Sequence, residues 1–318
     1  MLAESPDASA TSITWSSCAR ARWETLYRGA GKSSLEQSWA YGEAAADQHG
    51  QTVERHLLSA GGRPLALLQS FRKSYWAVGV TRIVRGPVWL TDPLQDPHTP
   101  DLCRSIVAHY RSRRLDFLLW LPELPDDPLR AALVEAQGLR RVVTGYSSIW
   151  LDLRQSPEAL MAGMNAKWRN AVRRAQRKGM EAAVDRKDRQ RQAALALYET
   201  FRRKRRFVGT PGDFIAAIAA ADPQAVLSLT ARHDGQLAAG VILVRHGLSA
   251  TYLASWSSPG GHTAQAHNML LWRGIETLRD EGIEWLDLGG LNTESQQGLA
   301  RFKLGLGGAV FTLTGSYF

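Results

Sequence analysis

The residue best placed to do chemistry in this sequence is a single lysine in a glycine-rich stretch. Lys303 follows Phe302 on a short helical turn, with an apolar run at 285–288 before it and Gly305, Gly307 and Gly308 after it. The run reads as a buried strand that Gly289-Gly290 stops. A polar loop containing Asn292 follows, and a last strand is expected over 309–314. Ligands collect where a strand opens into such a loop, because glycine backbone lets them approach closely. A cation delivered there can meet a phosphate, a carboxylate or a developing oxyanion. The simpler use of a lysine at that position is to satisfy its own last-turn carbonyls. Asp287 ends the strand, where it caps the loop amides or binds a substrate amine, and the cap is the favoured reading.

A second set of side chains suits phosphate. The spacing predicts one long helix over 157–178, with Ser156 as cap, Pro157 in the first position and Gly179 as the stop. Leu160, Met161, Met164, Trp168, Ala171, Val172 and Ala175 fall on one arc. Lys167, Arg169, Arg173, Arg174, Arg177 and Lys178 take the rest, with no acid between Lys167 and Lys178. A solvated helix face normally mixes signs, so an uncompensated row of cations points to a phosphate-bearing partner. Arg202, Arg203, Lys204, Arg205 and Arg206 make a second cluster at the end of the next helix, where cations also complement the dipole.

Composition sets the frame for these sites. The chain has 318 residues, enough for two domains of ordinary size. An apolar fraction of 44% with eleven tryptophans excludes a disordered chain. No apolar run approaches the ~20 residues of a membrane span. The first 14 residues lack the build of a signal peptide and read as a loose tail. Cys18 and Cys103 have no metal-ligand spacing, no HExxH occurs, and no metal is expected; a reducing cytoplasm fits. The excess of 39 Lys plus Arg over 30 Asp plus Glu, net +9, favours an anionic partner, although an Ala/Arg/Leu-rich composition alone raises arginine.

The elements that must position these residues repeat once. A helix is expected from Leu35 to about Gln48, capped by Ser33 or Ser34, then paired strands at 53–59 and 64–71 around Ala60-Gly61-Gly62. An apolar segment at 76–84, a helix at 102–114, a strand at 116–121 and a helix at 128–138 complete the first round. The pattern restarts near residue 145 with a strand at 147–153 and helices at 157–178, 188–206 and 211–221. Strands at 225–232, 236–245 and 249–256 and a helix at 264–281 lead to the lysine stretch. The expected organisation is a tail and lead-in over 1–34 and two related α+β domains over 35–145 and 146–318.

Several other matches carry little. Gly29-Ala30-Gly31-Lys32-Ser33 has the end of a P-loop, but Leu26 stands where the first glycine belongs and no strand precedes it. His49, His56 and His109 read as surface or core fillers, and Trp39, Trp89, Trp150 and Trp168 as core.

Three stretches resemble the Fem family of peptidyltransferases, relatives of the GNAT acyltransferases. These are Arg85-Gly86-Pro87-Val88-Trp89; Trp168-Arg169-Asn170-Ala171-Val172-Arg173-Arg174-Ala175 with Lys178-Gly179; and Leu286-Asp287-Leu288-Gly289-Gly290 continuing to Phe302-Lys303-Leu304-Gly305. Tyr252-Leu253-Ala254-Ser255 falls in family order between the last two. The resemblance implies two tandem GNAT-like domains, each a mixed, mostly antiparallel sheet flanked by helices. It implies transfer of an aminoacyl group from aminoacyl-tRNA to an amine of a peptide, in cell-wall or peptide-antibiotic synthesis, with no cofactor beyond the charged tRNA. Lys303 matches the family lysine that stabilises the oxyanion, and Phe302 would position it. Lys167, Arg169, Arg173, Arg174, Arg177, Lys178, Arg202, Arg203, Arg205 and Arg206 would take tRNA phosphates. Trp39, Tyr252, Asp287, Gly289, Gly290 and Asn292 are the expected substrate-binding residues, and a cytoplasmic monomer is expected.

The sequence departs from the family in one respect that bears on the acceptor. Where the peptidoglycan enzymes carry a lysine for a nucleotide-sugar diphosphate, Gln37-Ser38 leads into Trp39-Ala40-Tyr41-Gly42-Glu43, with no lysine before Lys73. A smaller acceptor, such as a peptide natural product, suits that better than a nucleotide-linked muropeptide. The rivals are a GNAT N-acyltransferase using a CoA thioester, for which no good pyrophosphate loop follows residue 256, and a non-catalytic RNA-binding protein, which would not need Phe302-Lys303.

Overall fold

The computed structural model describes residues 12–76, 78–111, 116–178, 180–185, 187–233, 235–291 and 296–318. Asn292, Gly179 and the Asp234 turn position lie outside these residues. The first half runs β1 (Ile13–Ser17), α1 (Arg20–Gly29), a 3₁₀ turn (Leu35–Gln37), α2 (Trp39–His49), β2 (Thr52–Ala60), β3 (Arg63–Tyr75), β4 (Val78–Val84) and β5 (Val88–Trp89). It continues through α3 (Thr99–Arg111), β6 (Asp116–Leu121), α4 (Pro128–Glu135) and β7 (Arg141–Val143). The second half begins β8 (Ser147–Asp152), α5 (Pro157–Gly163), α6 (Ala166–Arg177), β9 (Glu181–Val184), α7 (Asp188–Lys204) and α8 (Gly212–Ala221). Next come β10 (Val226–His233), β11 (Gln236–His246), β12 (Ser249–Ser257), α9 (Pro259–Thr263), α10 (Ala266–Asp280), β13 (Trp285–Asp287), α11 (Gln297–Leu304), β14 (Ala309–Thr312) and β15 (Ser316–Tyr317).

These strands build two sheets, ordered β1-β2-β3-β4-β6-β15-β7 and β14-β8-β13-β12-β11-β10-β9, with β5 beside β3. Each contains one parallel pair, β4 with β6 and β12 with β13, among antiparallel neighbours. This is the expected mixed, mostly antiparallel sheet flanked by helices, built twice. Residues 12–34, read from sequence as tail and lead-in, join the first layer: β1 pairs with β2, and Trp23 and Tyr27, one helical turn apart, bury the inner face of α1. β15 returns to the first sheet between β6 and β7.

β11 explains why its sequence is apolar without alternation. Val241 and Leu243 face the core under α6 and α10, whereas Ile242 and Val244 face a second core between the halves. That second core joins Leu35, Ala40, Ala44 and Phe71 of the first half to Phe214, Ile215 and Ile218 on α8. A strand buried on both faces needs apolar side chains at successive positions.

Three predicted helices break where a side chain or turn competes with the ladder. The helix expected from Leu35 is a 3₁₀ turn followed by α2, and its cap is Ser38 rather than Ser33 or Ser34: Ser38 Oγ accepts from Tyr41 N at 3.2 Å. The long helix 157–178 is two helices, because Asn165 Oδ1 accepts from Trp168 N at 2.8 Å and starts α6 afresh. The helix 264–281 starts at Ala266, since Gln265 takes φ 60°.

Candidate active site

The site is assembled where the carboxyl ends of β4 and β13 meet. Arg85 follows β4 in the left-handed region, φ 49°, which turns its side chain toward the second half. It is 2% exposed. Its Nη1 donates to Asp287 Oδ2 at 2.6 Å, and Nε and Nη2 donate to the two oxygens of Glu123, both at 2.9 Å. Asp287 is fully buried at the end of β13, and its Oδ1 accepts from Gly289 N at 2.8 Å and from Ser148 Oγ. Asp287 therefore does cap the loop amide, and it also ties the two halves together through Arg85. Burial pushes the Asp287 carboxyl up, but the Arg85 charge and the donors outweigh it and hold the group below its ordinary range. Burial opposes the Arg85 charge as well, and Glu123 and Asp287 more than reverse that.

Lys303 lies on the last turn of α11 and is 5% exposed. Its ammonium does not fold back onto its own helix. Nζ donates to Gly290 O at 2.8 Å and sits 5.9 Å from the centre of the Tyr252 ring. Gly289 takes φ +71°, and a Cβ there would stand 3.2 Å from Tyr252 O and 3.6 Å from Nζ, so a glycine keeps this corner open. Burial lowers the Lys303 pKa to about 8, against the opposing pull of Asp287.

Phe302 points the other way. Its ring packs 5.2 Å from Trp168 and 5.1 Å from His267, and its carbonyl accepts from Trp168 Nε1 at 2.9 Å. Gly305 lets α11 approach α6, since a Cβ there would lie 2.7 Å from the Trp168 ring. Phe302 and Gly305 thus fix α11 on α6, and that fixes Lys303.

Both halves line the cavity in front of this lysine, which encloses about 980 Å³. Leu35, Glu36, Tyr41 and Arg85 come from the first half; Tyr252, Trp256, His267, Gly289, Gly290 and Lys303 come from the second. Among the expected substrate residues, Tyr252, Gly289 and Gly290 line this cavity, and Asp287 is fully buried behind Gly289. Trp39 lies apart: it packs edge-on to Trp23 with Arg55 stacked at 3.8 Å and lines a separate cleft beside α1.

Two further features belong to this cavity. The Tyr252 hydroxyl is held by Ser255 Oγ and His267 Nε2, both at 2.6 Å, and burial lowers the His267 pKa to about 4, so that imidazole is neutral near pH 7. Glu36 is the second. Its Oε2 is buried without a hydrogen-bond partner, 3.9 Å from Arg85 Nη1, and burial raises its pKa. Neither residue carries a local spacing signal, since both are defined by neighbours distant in the chain. Among the described residues no group of three or more His, Cys, Asp or Glu could hold a metal ion.

The expected phosphate-binding cations divide. Lys167, Arg173, Arg174 and Arg177 are exposed on α6 and make no salt bridge among the described residues. Arg169 instead caps α5, donating to Met164 O and to Ala162 O, and Lys178 reaches Thr263 O at 3.5 Å. Arg202 and Arg203 are not uncompensated: both grip Glu199, at 2.8 and 2.7 Å, and their hydrogen bonds lower its pKa to about 2. Arg205 rests on Phe201 at the cavity wall, and Arg206 is exposed with φ 50°. A shallow groove runs between α6 and α11 on the Phe302 side, lined by Lys167, Trp168, Arg301 and Phe302.

Residues 166–304 match the family model described as an acetyltransferase (GNAT) domain. The crystal structure of FemX overlays this chain with a TM-score of 0.81 at 13% identity, covering 96% of each chain. The fold is that of FemX. Each half has a GNAT-like fold, and the family-model match lies within the second half. Two further structures are similar. L-PGS from Bacillus licheniformis has a TM-score of 0.58 at 13% identity, with 95% of this chain and 92% of its own covered. A tandem GNAT protein from the clavulanic acid biosynthesis pathway has a TM-score of 0.53 at 14% identity, with 96% and 97% covered. The sequence matches no curated protein. No helix among the described residues is long and apolar enough to cross a membrane.

Proposed function

We propose that this protein is an aminoacyltransferase that moves an amino acid from aminoacyl-tRNA to an amine of a peptide acceptor, forming an amide. The observation that carries the reading is the Lys303 ammonium, desolvated at the wall of a cavity that both halves line. An aminoacyl ester is already activated, so the protein needs only to align amine and ester and to stabilise the tetrahedral oxyanion. Among the described residues the one hydrogen bond of the Lys303 ammonium is to Gly290 O, and an ammonium has further N–H groups to offer that oxyanion. Tyr252 supports the ammonium with its ring while its hydroxyl is occupied. The exposed cations of α6 and the groove between α6 and α11 suit the phosphates of an acceptor stem laid along α6. No lysine stands between Gln37-Ser38 and Lys73, which fits an acceptor without a nucleotide diphosphate. The acceptor is then a cell-wall peptide or a peptide natural product, and the working form is a cytoplasmic monomer.

The test is amide formation from tRNA charged with a radiolabelled amino acid, with amine-bearing peptides as acceptors. Label should appear in an acid-stable amide and vanish with prior RNase treatment. The GNAT domain match favours one second reading, acyl transfer from a CoA thioester. RNase-insensitive transfer supported by acyl-CoA would establish that reading and defeat the first.

A further inference from the structure

The ion cluster at the joint of the halves is unbalanced, and the imbalance faces the cavity. One guanidinium, Arg85, stands among three carboxylates, Glu36, Glu123 and Asp287. Glu123 takes two of its N–H bonds and Asp287 a third, and Glu36 is left at 3.9 Å with no hydrogen bond to Oε2. Its own backbone N–H and the Arg85 charge support the Glu36 carboxylate, but Oε2 has no hydrogen bond, and burial makes that incomplete pairing costly. The side chain is 23% exposed and lines the cavity, while Oε2 itself is buried toward Arg85. Among the described residues lining the cavity, Glu36 is the only acid.

The position of Glu36 is also built. Its 3₁₀ turn is clamped on both sides: Gln37 Nε2 donates to Gln69 O and Val84 O, Gln69 Nε2 donates to Glu36 O at 2.9 Å, and Ser34 Oγ donates to Arg85 O at 2.7 Å. Gln37 and Gln69 are both fully buried. So much fixed hydrogen bonding behind one cavity-lining carboxylate belongs to a side chain that must hold a direction.

We infer that Glu36 binds the ammonium of the acceptor and takes its proton, which makes the acceptor a primary amine presented as a cation. This rests on the proposed amide-forming reaction. In that step the R–NH₃⁺ group gives one proton to the Glu36 carboxylate and becomes R–NH₂. Its lone pair adds to the ester carbonyl carbon, and the carbonyl oxygen takes the negative charge opposite Lys303. When the intermediate collapses, the C–O bond to the ribose breaks. The leaving oxygen takes the second amine proton, and Glu36 later releases its proton to solvent. The charges facing Glu36 are Arg85, which favours its ionised form, and Glu123 and Asp287, which oppose it. The phenols of Tyr27, Tyr41 and Tyr146 are also near, each pushed up by burial and neutral throughout the working range. The raised proton affinity of Glu36 suits a group that must accept a proton and lose it again.

The experiment compares the full-length protein with Glu36→Gln, which keeps shape and the backbone bond from Gln69. Binding of glycinamide, followed by NMR titration without any donor, should weaken roughly tenfold or more in the variant, the loss of a charge-assisted bond. N-acetylglycinamide, which has no ammonium, should not distinguish the two proteins. Equal glycinamide affinities, or no binding by the wild type, overturn the inference whatever the transferase assay gives. In that assay, transfer at pH 7 should fall by about 10² or more and recover as pH nears the amine's own pKa. The same loss must persist with α-hydroxyacyl-tRNA, a donor lacking an ammonium. If it disappears, Glu36 serves the donor's α-amine instead, and the acceptor assignment is wrong. Absence of transfer by the wild type, with glycinamide binding still dependent on Glu36, would count against the proposed reaction alone.

Discussion

Lys303→Met should make the protein more stable and inactive, and the sizes follow from the structure. Burial lowers the lysine's pKa from the ordinary 10.5 to about 8, and a tenfold change in proton affinity is worth about 1.4 kcal/mol. Keeping that side chain charged at pH 7 therefore costs the fold on the order of 3 kcal/mol. Methionine removes this cost at similar length, but leaves Gly290 O without its donor, a loss of roughly 1 kcal/mol. The variant should gain about 2 kcal/mol, read from the shift in urea midpoint at pH 7. The gain must depend on pH. An unfolded lysine keeps its proton to about pH 10.4 and the folded one releases it near 8, so the unfolded chain binds more protons between those values. Wild-type stability then rises across that window, and methionine's advantage is full below pH 8 and fades above it. Turnover should fall by about 10² to 10³, as when an oxyanion donor is removed. A variant less stable than wild type at pH 7, or a difference that ignores pH, would mean that Lys303 is not a desolvated cation. An unchanged rate would return it to a structural role.

The other predictions concern RNA and the joint. Replacing Arg173, Arg174 and Arg177 by glutamine should weaken tRNA binding and reduce the slope of log affinity against log salt by about 2 to 3, whereas Arg202→Gln, already engaged with Glu199, should move the slope less. Filter binding across a salt series checks this, and an unaltered slope would leave α6 as a merely solvated face. Arg85→Met should destabilise by roughly 3–5 kcal/mol, because Asp287 and Glu123 lose their counter-charge in a buried setting. Adding Asp287→Asn should recover part of that loss in denaturant titrations, and strict additivity of the two changes would mean that the pair is not coupled.

Much of the site was legible because it is local in sequence. Phe302, Lys303 and the glycines around them sit within one short stretch, and Asp287 could be read as a cap from its place before Gly289-Gly290. The tandem layout was legible from the restart near residue 145. What the sequence hid depends on long reach. Arg85 stands in a recognisable motif, but its partner Asp287 lies 202 residues away, and no spacing announces such a pair. Glu36 looks like an ordinary helix-start acid until Arg85, Glu123 and Asp287 surround it. The breaks at Asn165 and Gln265 were missed because the apolar period carries through them, although a capping Asn three residues before Trp168 was there to be read. The pairing of Arg202 and Arg203 with Glu199 is within one helical turn and was legible too, had the acid preceding the cluster been counted.

The last strand has a consequence for how the two halves depend on each other. Among the described residues β7 pairs with the first sheet through β15, two residues long, which itself sits against β6 with Tyr317 fully buried beside Trp120. The first unit is thus sealed by a clasp that the second unit delivers after its own active-site helix is made. A chain severed near Gly145 would leave an open slot in the first half, and one half could refold alone only by exposing that seam.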